Sequence, residues 1–459
     1  MAAPSSSCRI YCQPSRLLRK VAGLRNRARD RLCNVGHIAS SVAQRLACGF
    51  MQTLGPPDVK GIDFAFDDQP DLHAALARLR ERRPYAIVPF AGVSAVLLLT
   101  DELVRAAFRD EATFPAAPVY AMTTEPVFGR TVLSMSGAEH RISRSVVSAP
   151  LRRTRVQDYL EPVIEPVINE LIDQFAARGA VDLVVEFTHR YSLLIISRLL
   201  GFPIDDEANI HRWAQAMIQY PFDPPTAVTC AAEFTAYVAP LLAARRRDPG
   251  DDMISMLVTE SAEDGENLSD EEILTFLRML FPLGADTTTL ALGNILSALL
   301  THPDQLDLLR SDPDRYLQSA VWEGLRWEPA VGMLPRACPE ATTWHGIDIP
   351  ALTPMIFAIN AANRDPAVYP RPDDFDIARN VMPTMSFGQG RHSCIGNWLA
   401  NTELLAALRA LIERLPDLAL DPRYAETSTI TSQVGTTLRG PNALRVTFTP
   451  TRNRPVVAV

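Results

Sequence analysis

The sequence predicts a mainly α-helical protein with small accessory β-sheets, organised as a single large domain. Apolar residues recur at three- and four-residue spacing along segments such as 71–82 and 156–179, which indicates amphipathic helices. Short runs typical of strands cluster in three places, 84–99, 344–359 and 428–449, without a regular strand–helix alternation. The 459 residues, 47% of them hydrophobic, are enough for a sizeable core.

The beginning of the chain differs in composition from the rest. Residues 1–50 contain nine basic residues and one acid, although the whole chain carries a net charge of −8. The segment lacks the apolar core of a signal peptide. We interpret residues 1–58 as a disordered basic extension, or as an upstream mis-start with Met51 as the true start; an arginine-rich transit peptide is the alternative. The domain is expected to span 59–453, followed by a tail, 454–459.

Several classes of partner and site are not expected. No uninterrupted run of 18 apolar residues occurs, so we predict no transmembrane anchor and a cytoplasmic location. The nearest candidate, 85–100, contains Pro89 and Gly92 and indicates two strands around a turn. The domain is acidic, which disfavours nucleic acid as a partner. Seven cysteines without a C-x-x-C pair indicate neither a disulfide framework nor structural zinc, and Cys230 and Cys338 are interpreted as buried, inert thiols.

The best-marked helix begins after Ser269. Glu272 follows three residues later, which together with Ser269 makes a capping box. The apolar pattern continues to Leu300, but residues 281–289, FPLGADTTT, place a proline, a glycine, an acid and three threonines in the helix interior. Polar groups are costly in a core unless they serve a function, so this segment is a candidate site.

A second helix has clear ends. Asp312 is a predicted N-cap with Pro313 in the first turn, and the helix is expected to end before Pro329. Glu323 and Arg326 are three residues apart and therefore lie on one face. Tryptophans around this pair predict that it is buried, where an ion pair fixes geometry more than it stabilises.

The segment SFGQGRHSCIGNWLA, residues 386–400, places Cys394 between glycines and just before an apolar helix. A thiolate is stabilised at a helix N-terminus by unpaired N–H groups. Gly388 and Gly396 allow the backbone to approach a large flat group, and Phe387 can shield the sulfur from water. A soft anionic ligand in a dry loop suits iron.

Residues 387–396, FGQGRHSCIG, resemble the haem-ligand loop of the cytochrome P-450 family in its soluble bacterial form. Further segments resemble the family's other motifs and stand in the family's order: GAEHRISR (137–144), GADTT (284–288), EGLR (323–326), ANRDP (362–366) and DDFDIAR (373–379). The resemblance covers about residues 60 to 450. It implies the cytochrome P-450 fold and haem b, iron protoporphyrin IX, as the cofactor.

The resemblance also implies roles for single residues. Cys394 would be the axial thiolate ligand of the haem iron, in a loop that includes Phe387, Gly388 and Gly396. Four residues would bind the haem propionates: His140, Arg144, Arg336 and His392.

Two further groups follow from the same resemblance. Glu323, Arg326 and Arg379 match the family's structural triad behind the cysteine loop. Asp286 and Thr287 match the acid–alcohol pair on the oxygen-binding side of the haem. An alternative for Thr287 is a bond to the carbonyl of the residue four positions earlier, which bends a helix; both can hold together.

The chain departs from the family pattern near this pair. Leu283 stands where the family usually has alanine or glycine, so it would crowd the space beside the haem or flatten the helix kink. Pro282 removes one helical hydrogen bond just before it.

The function implied is that of a haem-thiolate monooxygenase of the EC 1.14 class, which inserts one oxygen atom from O₂ into an apolar small molecule. No flavin or iron–sulfur module is recognisable, so a separate ferredoxin-type donor and its NAD(P)H-dependent reductase are expected as partners. Two alternatives remain. One is a haem-thiolate peroxygenase, isomerase or dehydratase that needs no donor; the other is a non-catalytic haem sensor.

The substrate is expected to be a terpenoid, a steroid or a similar lipophilic molecule. By family position, the pocket would be lined by residues 113–130, 213–230, the Leu277–Ala285 face, 330–334 and 430–436. These stretches carry mostly aromatic or aliphatic side chains: Phe114, Tyr120, Phe128, Met217, Tyr220, Phe222, Val331, Met333 and Val434. The alternative is that some of these side chains belong to the core.

Overall fold

The computed structural model describes residues 54–69, 71–203, 207–260, 267–379, 384–424, 430–434 (backbone only) and 437–451. Most of the predicted basic extension, up to residue 53, and the predicted tail therefore lie outside the described residues, and both remain predictions.

α-Helices make up most of the described chain. In order they are α1 (Leu72–Arg82), α2 (Asp101–Arg109), α3 (Ala117–Thr123), α4 (Glu125–Phe128), α5 (Gly137–Val147), α6 (Arg153–Gln157), α7 (Glu165–Asp173), α8 (His189–Leu199), α9 (Glu207–Ile218), α10 (Pro224–Arg247), α11 (Met253–Thr259), α12 (Asp270–Thr301), α13 (Pro303–Ser311), α14 (Pro313–Trp327), α15 (Ile359–Ala362) and α16 (Asn397–Arg414). A 3₁₀ turn at Ala149–Leu151 and two π-helical turns, Leu160–Ile164 and Val184–Thr188, join some of them.

The strands form small sheets beside the helices. They are β1 (Tyr85–Phe90), β2 (Val93–Leu98), β3 (Ala180–Asp182), β4 (Met333–Cys338), β5 (Thr342–Trp344), β6 (Ile347–Ile349), β7 (Thr353–Ala358), β8 (Ala419–Leu420), β9 (Ile430–Val434), β10 (Leu438–Pro441) and β11 (Arg445–Thr447). The largest sheet has the order β1-β2-β7-β4, with β2 and β7 parallel and the other pairs antiparallel. The mainly helical class with accessory sheets, predicted from the sequence, is confirmed.

Local sequence signals placed several elements correctly. Tyr85 pairs with Leu98 across the hairpin of β1 and β2, as the apolar stretch 85–100 predicted. Strand β4, with the sequence MLPRAC, was not predicted. Its proline is tolerated because β4 is an edge strand of its sheet.

The prediction of one helix over residues 156–179 is wrong. α6 ends at Gln157, a π-helical turn covers Leu160–Ile164, and α7 begins at Glu165. Pro162 and Pro166 lie in this stretch and lack the N–H groups that a continuous helix requires, so the apolar face continues while the hydrogen-bond ladder changes.

Helix α12 is the centre of the molecule and spans 32 residues, about 48 Å at 1.5 Å per residue. Its capping box is present: the Ser269 hydroxyl accepts from the Glu272 N–H at 3.3 Å, and the Glu272 carboxylate accepts from the Ser269 N–H at 2.8 Å. The helix packs against α8, α9, α10, α14 and α16. It continues through Pro282, and it brings the polar segment 281–289 into the middle of the largest apolar cluster.

Two helices in the described part of the chain, α10 and α12, are long and apolar enough to cross a membrane. The most apolar 18-residue window of α12 is 78% buried within the protein, as in the core helix of a soluble protein, and that of α10 is 33% buried. The absence of a transmembrane anchor therefore stays a prediction.

Two smaller apolar clusters lie on the faces of the four-stranded sheet. One contains Phe114, Trp344 and Phe357, and Phe114 packs edge-on against both other rings. Cys338 belongs to this cluster and Cys230 to the largest one; both thiols are buried, and burial raises the pKa of each. Burial keeps these two thiols protonated and weakly reactive, as predicted.

Candidate functional site

The loop before α16 has a shape that requires glycine. The Gly388 N–H donates to the Met385 carbonyl at 2.8 Å, and the Cys394 N–H donates to the Phe387 carbonyl at 2.9 Å, which closes the loop. Gly390 has φ of +74°, and a Cβ atom there would lie 2.5 Å from the Phe108 carbonyl oxygen. Only glycine fits, because a side chain would meet both backbone strain and a fixed neighbour.

A large cavity lies between α12 and this loop and leaves about 280 Å³ for the centres of water-sized groups. Its lining is mostly aliphatic. Seven of the predicted site residues line it: Arg144, Thr287, Phe387, Gly388, His392, Cys394 and Gly396. Cys394 exposes surface to this cavity and not to bulk water, so its sulfur is accessible to a ligand yet removed from solvent. The chain thus presents one thiol to an apolar chamber on the side opposite α12.

The surroundings of Cys394 balance opposite effects on its acidity. Burial raises the pKa of the thiol, while the Gly396 N–H and the nearby Arg144 guanidinium lower it. Arg144 is held in place because it donates to the Ser393 carbonyl at 2.6 Å. A metal that takes the thiolate must displace the proton, and the adjacent cation favours the resulting anion.

Imidazole and guanidinium groups gather at one edge of the large cavity, which Arg144 and His392 line. His140 instead lines a neighbouring open pocket, together with Arg144. The ring centres of His140 and His392 are 4.3 Å apart, and His392 Nε2 lies 2.7 Å from Glu111 Oε1. Burial, with the neighbouring His392 and Arg144, lowers the pKa of His140 to about 4. Arg336 is buried and its guanidinium donates to the Tyr120 hydroxyl at 3.3 Å.

His140 Nε2 carries an unmet hydrogen-bonding demand. The atom is buried and has no hydrogen-bond partner among the described residues. Buried polar atoms are normally paired, so this one indicates a ligand whose polar group is bound at this edge.

The residues of the predicted triad lie together; Glu323 and Arg326 are buried and Arg379 is partly exposed. Arg326 donates two bonds of 2.7 Å to the two carboxylate oxygens of Glu323, and both side chains are 0% exposed. Arg379 lies 3.4 Å from the same carboxylate. Arg326 also donates to the carbonyls of Asn363, Pro372 and Asp374 at 3.1, 2.8 and 3.2 Å, so none of its buried N–H groups lacks a partner.

The triad is linked to the cysteine loop by a second set of hydrogen bonds. The Asn363 side chain accepts from the Met385 N–H at 2.9 Å and donates to the Ser386 hydroxyl at 3.0 Å. The Ser386 hydroxyl donates to the Leu325 carbonyl on α14 at 2.7 Å. α14 therefore fixes the start of the loop that carries Cys394.

The two residues of the predicted acid–alcohol pair face different cavities. The Thr287 hydroxyl donates to the Leu283 carbonyl at 2.7 Å, and both side chains line the large cavity. Asp286 instead lines a small second cavity together with His189 and His211. Burial raises the pKa of Asp286 to about 6. Successive residues on a helix point about 100° apart, which explains the separation.

From the sequence, we expected Leu283 to crowd the space beside the haem. Its side chain does line the large cavity, next to Gly284, which has no side chain to fill it. We also expected that Leu283 could flatten a helix kink at this point. α12 is continuous here, and the Thr287 hydroxyl bonds to the Leu283 carbonyl within it.

Two of the predicted pocket stretches, the 277–285 face and residues 330–334, line the large cavity, whereas 113–130 and 213–230 contribute no side chain to it in the described structure. Of the nine side chains proposed, Val331 is the one that lines the large cavity in the described structure, and the side chain of Val434 lies outside the described residues. Phe114 and Met333 belong to the sheet clusters, and Phe128 and Met217 to the main core. The remaining three have other contacts: Tyr120 with Arg336, Tyr220 with the main core, and Phe222 with Phe66.

Sequence reasoning also missed several polar residues. Glu403 on α16 lines the large cavity, burial raises its pKa well above the ordinary value, and the Tyr191 hydroxyl lies 3.4 Å away. Glu111, His189 and His211 were missed as well. None of the three belongs to a motif, and each lies near its partners only after folding.

A basic surface lies on the cysteine side of the molecule. Arg152, Arg153 and Arg155 are exposed around α6, and the Arg153 guanidinium lies 5.1 Å from the ring centre of Trp398, which is 43% exposed. Trp398 lies in the first turn of α16, four residues after Cys394, so this surface adjoins the helix that follows the cysteine loop.

Comparisons with known proteins agree with this geometry. The sequence model of the family described as Cytochrome P450 matches residues 233–423. The cytochrome P450 monooxygenase PikC of Streptomyces venezuelae is 34% identical over 368 residues, 79% of this chain and 87% of that protein. The vitamin D(3) 25-hydroxylase of Pseudonocardia autotrophica is 32% identical over 82% of this chain and 94% of its own length.

A solved structure confirms the predicted fold. Cytochrome P450 CYP109Q5 from Chondromyces apiculatus superposes with a TM-score of 0.76 at 27% identity, covering 83% of this chain and 96% of its own. These relatives include named monooxygenases and hydroxylases of bacteria. The chain therefore belongs to the cytochrome P450 family and is an oxidoreductase of the monooxygenase type.

Proposed function

We propose that this protein is a haem-thiolate monooxygenase that inserts one oxygen atom from O₂ into a lipophilic small molecule, with electrons from a separate ferredoxin-type donor and its NAD(P)H-dependent reductase. The observation that carries the proposal is the position of Cys394. Its thiol is exposed to an apolar cavity, directly before α16 and beside the Arg144 guanidinium.

The residues around the cavity fit haem b. Cys394 would bind the iron, and the orphaned His140 Nε2 would donate to a propionate oxygen, assisted by Arg144, Arg336 and His392. Phe387, Gly388 and Gly396 line the cavity beside the thiol. When bound, a haem with a thiolate ligand supplies the chemistry that cleaves the O–O bond.

Insertion of one oxygen atom consumes one O₂, two electrons and two protons, and the second oxygen atom leaves as water. The donor supplies the electrons and the protein must supply the protons. Asp286, whose pKa is raised by burial to about 6, is suited to hold and release a proton near neutral pH. Thr287 lines the large cavity, and its hydroxyl would orient the group that receives the proton there.

Glu323, Arg326 and Arg379 would act through position. Their bonds hold the end of α14 against residues 363–374, and Asn363 and Ser386 connect this unit to the cysteine loop. We infer that the triad keeps the thiol at a fixed distance from α12. A rigid ligand loop excludes water from the sulfur and preserves the thiolate bond.

The proposed substrate is terpenoid- or steroid-like. The cavity side that faces α12 is lined by apolar side chains, and the described residues place no carboxylate or cation among them: Ile196, Met279, Leu280, Leu283, Ala330, Val331 and Leu334. Such a lining orients a ligand by shape rather than by an ion pair. That the similar vitamin D(3) 25-hydroxylase is named for an apolar substrate supports this choice.

The proposed donor docks on the basic surface around Arg152, Arg153, Arg155 and Trp398. Positive charge steers an acidic partner, and an exposed aromatic ring at the centre of a polar rim is typical of a binding hot spot. A cytoplasmic location, where ferredoxins and NAD(P)H are present, completes the proposal.

The test is a reconstituted turnover assay. Apolar candidates are first titrated while the haem Soret band is followed, and ligands that shift it are incubated with ferredoxin, ferredoxin reductase, NAD(P)H and ¹⁸O₂. The proposal expects a product that carries one ¹⁸O atom, formed only with the donor present. Product formation with peroxide alone or without any oxidant favours the donor-free enzymes, and a bound ligand that is never converted favours the sensor.

A further inference from the structure

The small cavity beside Asp286 brings together groups that the haem chemistry does not by itself explain. It is lined by Asp286, Ala285 and Thr289 of α12, by His189 and Leu193 of α8, and by His211, Ala214 and Gln215 of α9. Two imidazoles, a carboxylic acid, an amide and a hydroxyl therefore surround one space. The main chain of α12 separates this space from the large cavity.

The cavity has room for about one water molecule. It leaves about 20 Å³ for the centre of a water, and a space of roughly 10–15 Å³ is sufficient. The ring centres of His189 and His211 are 6.3 Å apart, which is too far for stacking but suits a bridging water. Gln215 is exposed and both histidines are half-buried, so the cavity reaches the protein surface.

The histidines are held against α12 by backbone contacts. The Thr289 hydroxyl donates to the Thr188 carbonyl at 2.7 Å, immediately before His189 at the start of α8. On the other wall, α9 packs along both α10 and α12. The arrangement is thus part of the fold and does not depend on a loop.

We propose that His189 and His211 form the outer end of a proton path that runs from the surface, through a water in the small cavity, to Asp286. Asp286 then lies one residue before Thr287, whose side chain faces the large cavity. The path rests on the proposed monooxygenase function, which requires two protons for each O₂ consumed.

The acidities of these groups favour transfer in the required direction. Burial, with the nearby His211, lowers the pKa of His189 to about 4, while burial raises the pKa of Asp286 to about 6. In water the imidazole is the stronger base; here a proton moves from His189 to Asp286 downhill. Burial also lowers the pKa of His211.

Charged neighbours on the adjoining elements complete the electrostatics. Asp182 opposes the loss of the His189 proton, and Glu207 does the same for His211. Glu207 is itself paired with Arg190, with bonds of 2.7 and 3.0 Å. Each histidine therefore lies near an acid that attracts protons from solvent.

Two experiments test the path. The first needs no turnover: histidine ring pKa values are measured by NMR on ¹⁵N-histidine-labelled protein in its diamagnetic ferrous carbonyl form. Asp286→Asn should shift the titration of His189 and His211 and leave that of His302, which is bound to the Ala298 carbonyl away from the cavity, unchanged. If neither titration moves, the three groups do not communicate and the path is wrong.

The second experiment compares two double variants and uses His302→Gln as the matched control. The glutamine pair is His189→Gln with His211→Gln, and the glutamate variant is His189→Gln with His211→Glu. Glutamine and glutamate are similar in size, but only glutamate carries protons. The glutamine pair should slow oxygen consumption about tenfold, with a larger solvent deuterium isotope effect and an altered pH profile. The glutamate variant should recover most of the rate. Substrate binding and the rate of haem reduction should stay at the wild-type values in all of them, which shows that the fold is retained.

The path is wrong if the glutamine pair consumes oxygen at the wild-type rate and with the wild-type pH profile while Asp286→Asn is slow. Asp286 would then receive its protons from another source. Equal slowing in the glutamine and glutamate variants would assign the histidines a structural role and also overturn it. A wild-type protein without turnover contradicts the proposed function instead, and the NMR titration then decides whether the histidines and Asp286 are coupled.

Discussion

Asp286 is predicted to lower the stability of the protein at neutral pH. Its carboxyl group is held in the protein interior on α12, and burial raises its pKa from 3.8 to about 6. The folded protein therefore binds a proton at this site more tightly than the unfolded chain does. Between those two pH values the native state holds more protons than the unfolded state, so stability falls as pH rises. Asp286→Asn removes the ionisation and should stabilise the protein above pH 6.

The size of the gain follows from the same values. A pKa difference of one corresponds to about 1.4 kcal/mol. A rise from 3.8 to about 6 therefore sets an upper limit of about 3 kcal/mol for the increase in the free energy of unfolding that Asp286→Asn can cause. Because part of the side chain faces a small cavity that reaches the surface, we expect about 1–3 kcal/mol. Below pH 3.8 the Asp286 carboxyl group is protonated in both the folded and the unfolded wild-type protein. The difference in the free energy of unfolding between the wild type and Asp286→Asn should therefore disappear there.

Urea unfolding of the holoprotein at a series of pH values measures this difference. Thr289→Ser is the matched control, since Thr289 lines the same cavity without ionising and serine keeps its hydroxyl. The reasoning predicts a stability gain for Asp286→Asn that grows from about pH 4 and levels off above pH 6, together with slower oxygen consumption. A variant that is less stable than the wild type at pH 7.5, or a gain that does not change with pH, would refute it.

Three further predictions concern other parts of the site. Thr287→Ala should change the free energy of unfolding by roughly 1 kcal/mol at most, since one hydrogen bond is lost, while product per NADH falls several-fold and hydrogen peroxide increases. Thr287→Ser keeps the hydroxyl and should stay coupled, and full coupling in the alanine variant would leave the hydroxyl a structural role only. Charge reversal at Arg153 and Arg155 should slow haem reduction by an acidic donor at low salt and leave substrate binding unchanged in Soret titrations; equal reduction rates would reject that docking surface. Arg326→Leu should cost about 3–5 kcal/mol in urea unfolding and reduce haem content, because it leaves the Glu323 carboxylate buried without its partner; a fully haem-loaded, stable variant would contradict the positioning role.

Local signals in the sequence predicted what local physics determines. The capping box at Ser269 and the cap at Asp312 are satisfied by residues three positions away, and both helices begin where the sequence predicted. The motif around Cys394 was equally readable, because its glycines are demanded by backbone shape within the loop itself. Five of the seven predicted site residues that line the large cavity belong to this loop: Phe387, Gly388, His392, Cys394 and Gly396.

Long-range contacts could not be predicted in the same way. Glu111 meets His392 across 281 residues of chain, and His189 and Asp286 share a cavity although 97 residues separate them. No periodicity or spacing marks such pairs. The pocket side chains failed for a related reason: Phe114 is apolar whether it faces a ligand or a core, and only the packing of the sheet against Trp344 decides.

A single spectrum decides whether Cys394 is the axial ligand of the haem iron. Cys394→Ser, Cys230→Ser and Cys338→Ser are each supplied with haem, reduced and exposed to carbon monoxide. We expect the red-shifted Soret band of a thiolate-bound ferrous carbonyl haem to be lost in Cys394→Ser and retained in the other two, whose sulfurs are buried away from the cavity. A retained band in folded Cys394→Ser, or its loss in either control, would show that another residue binds the iron or that the band does not report on Cys394.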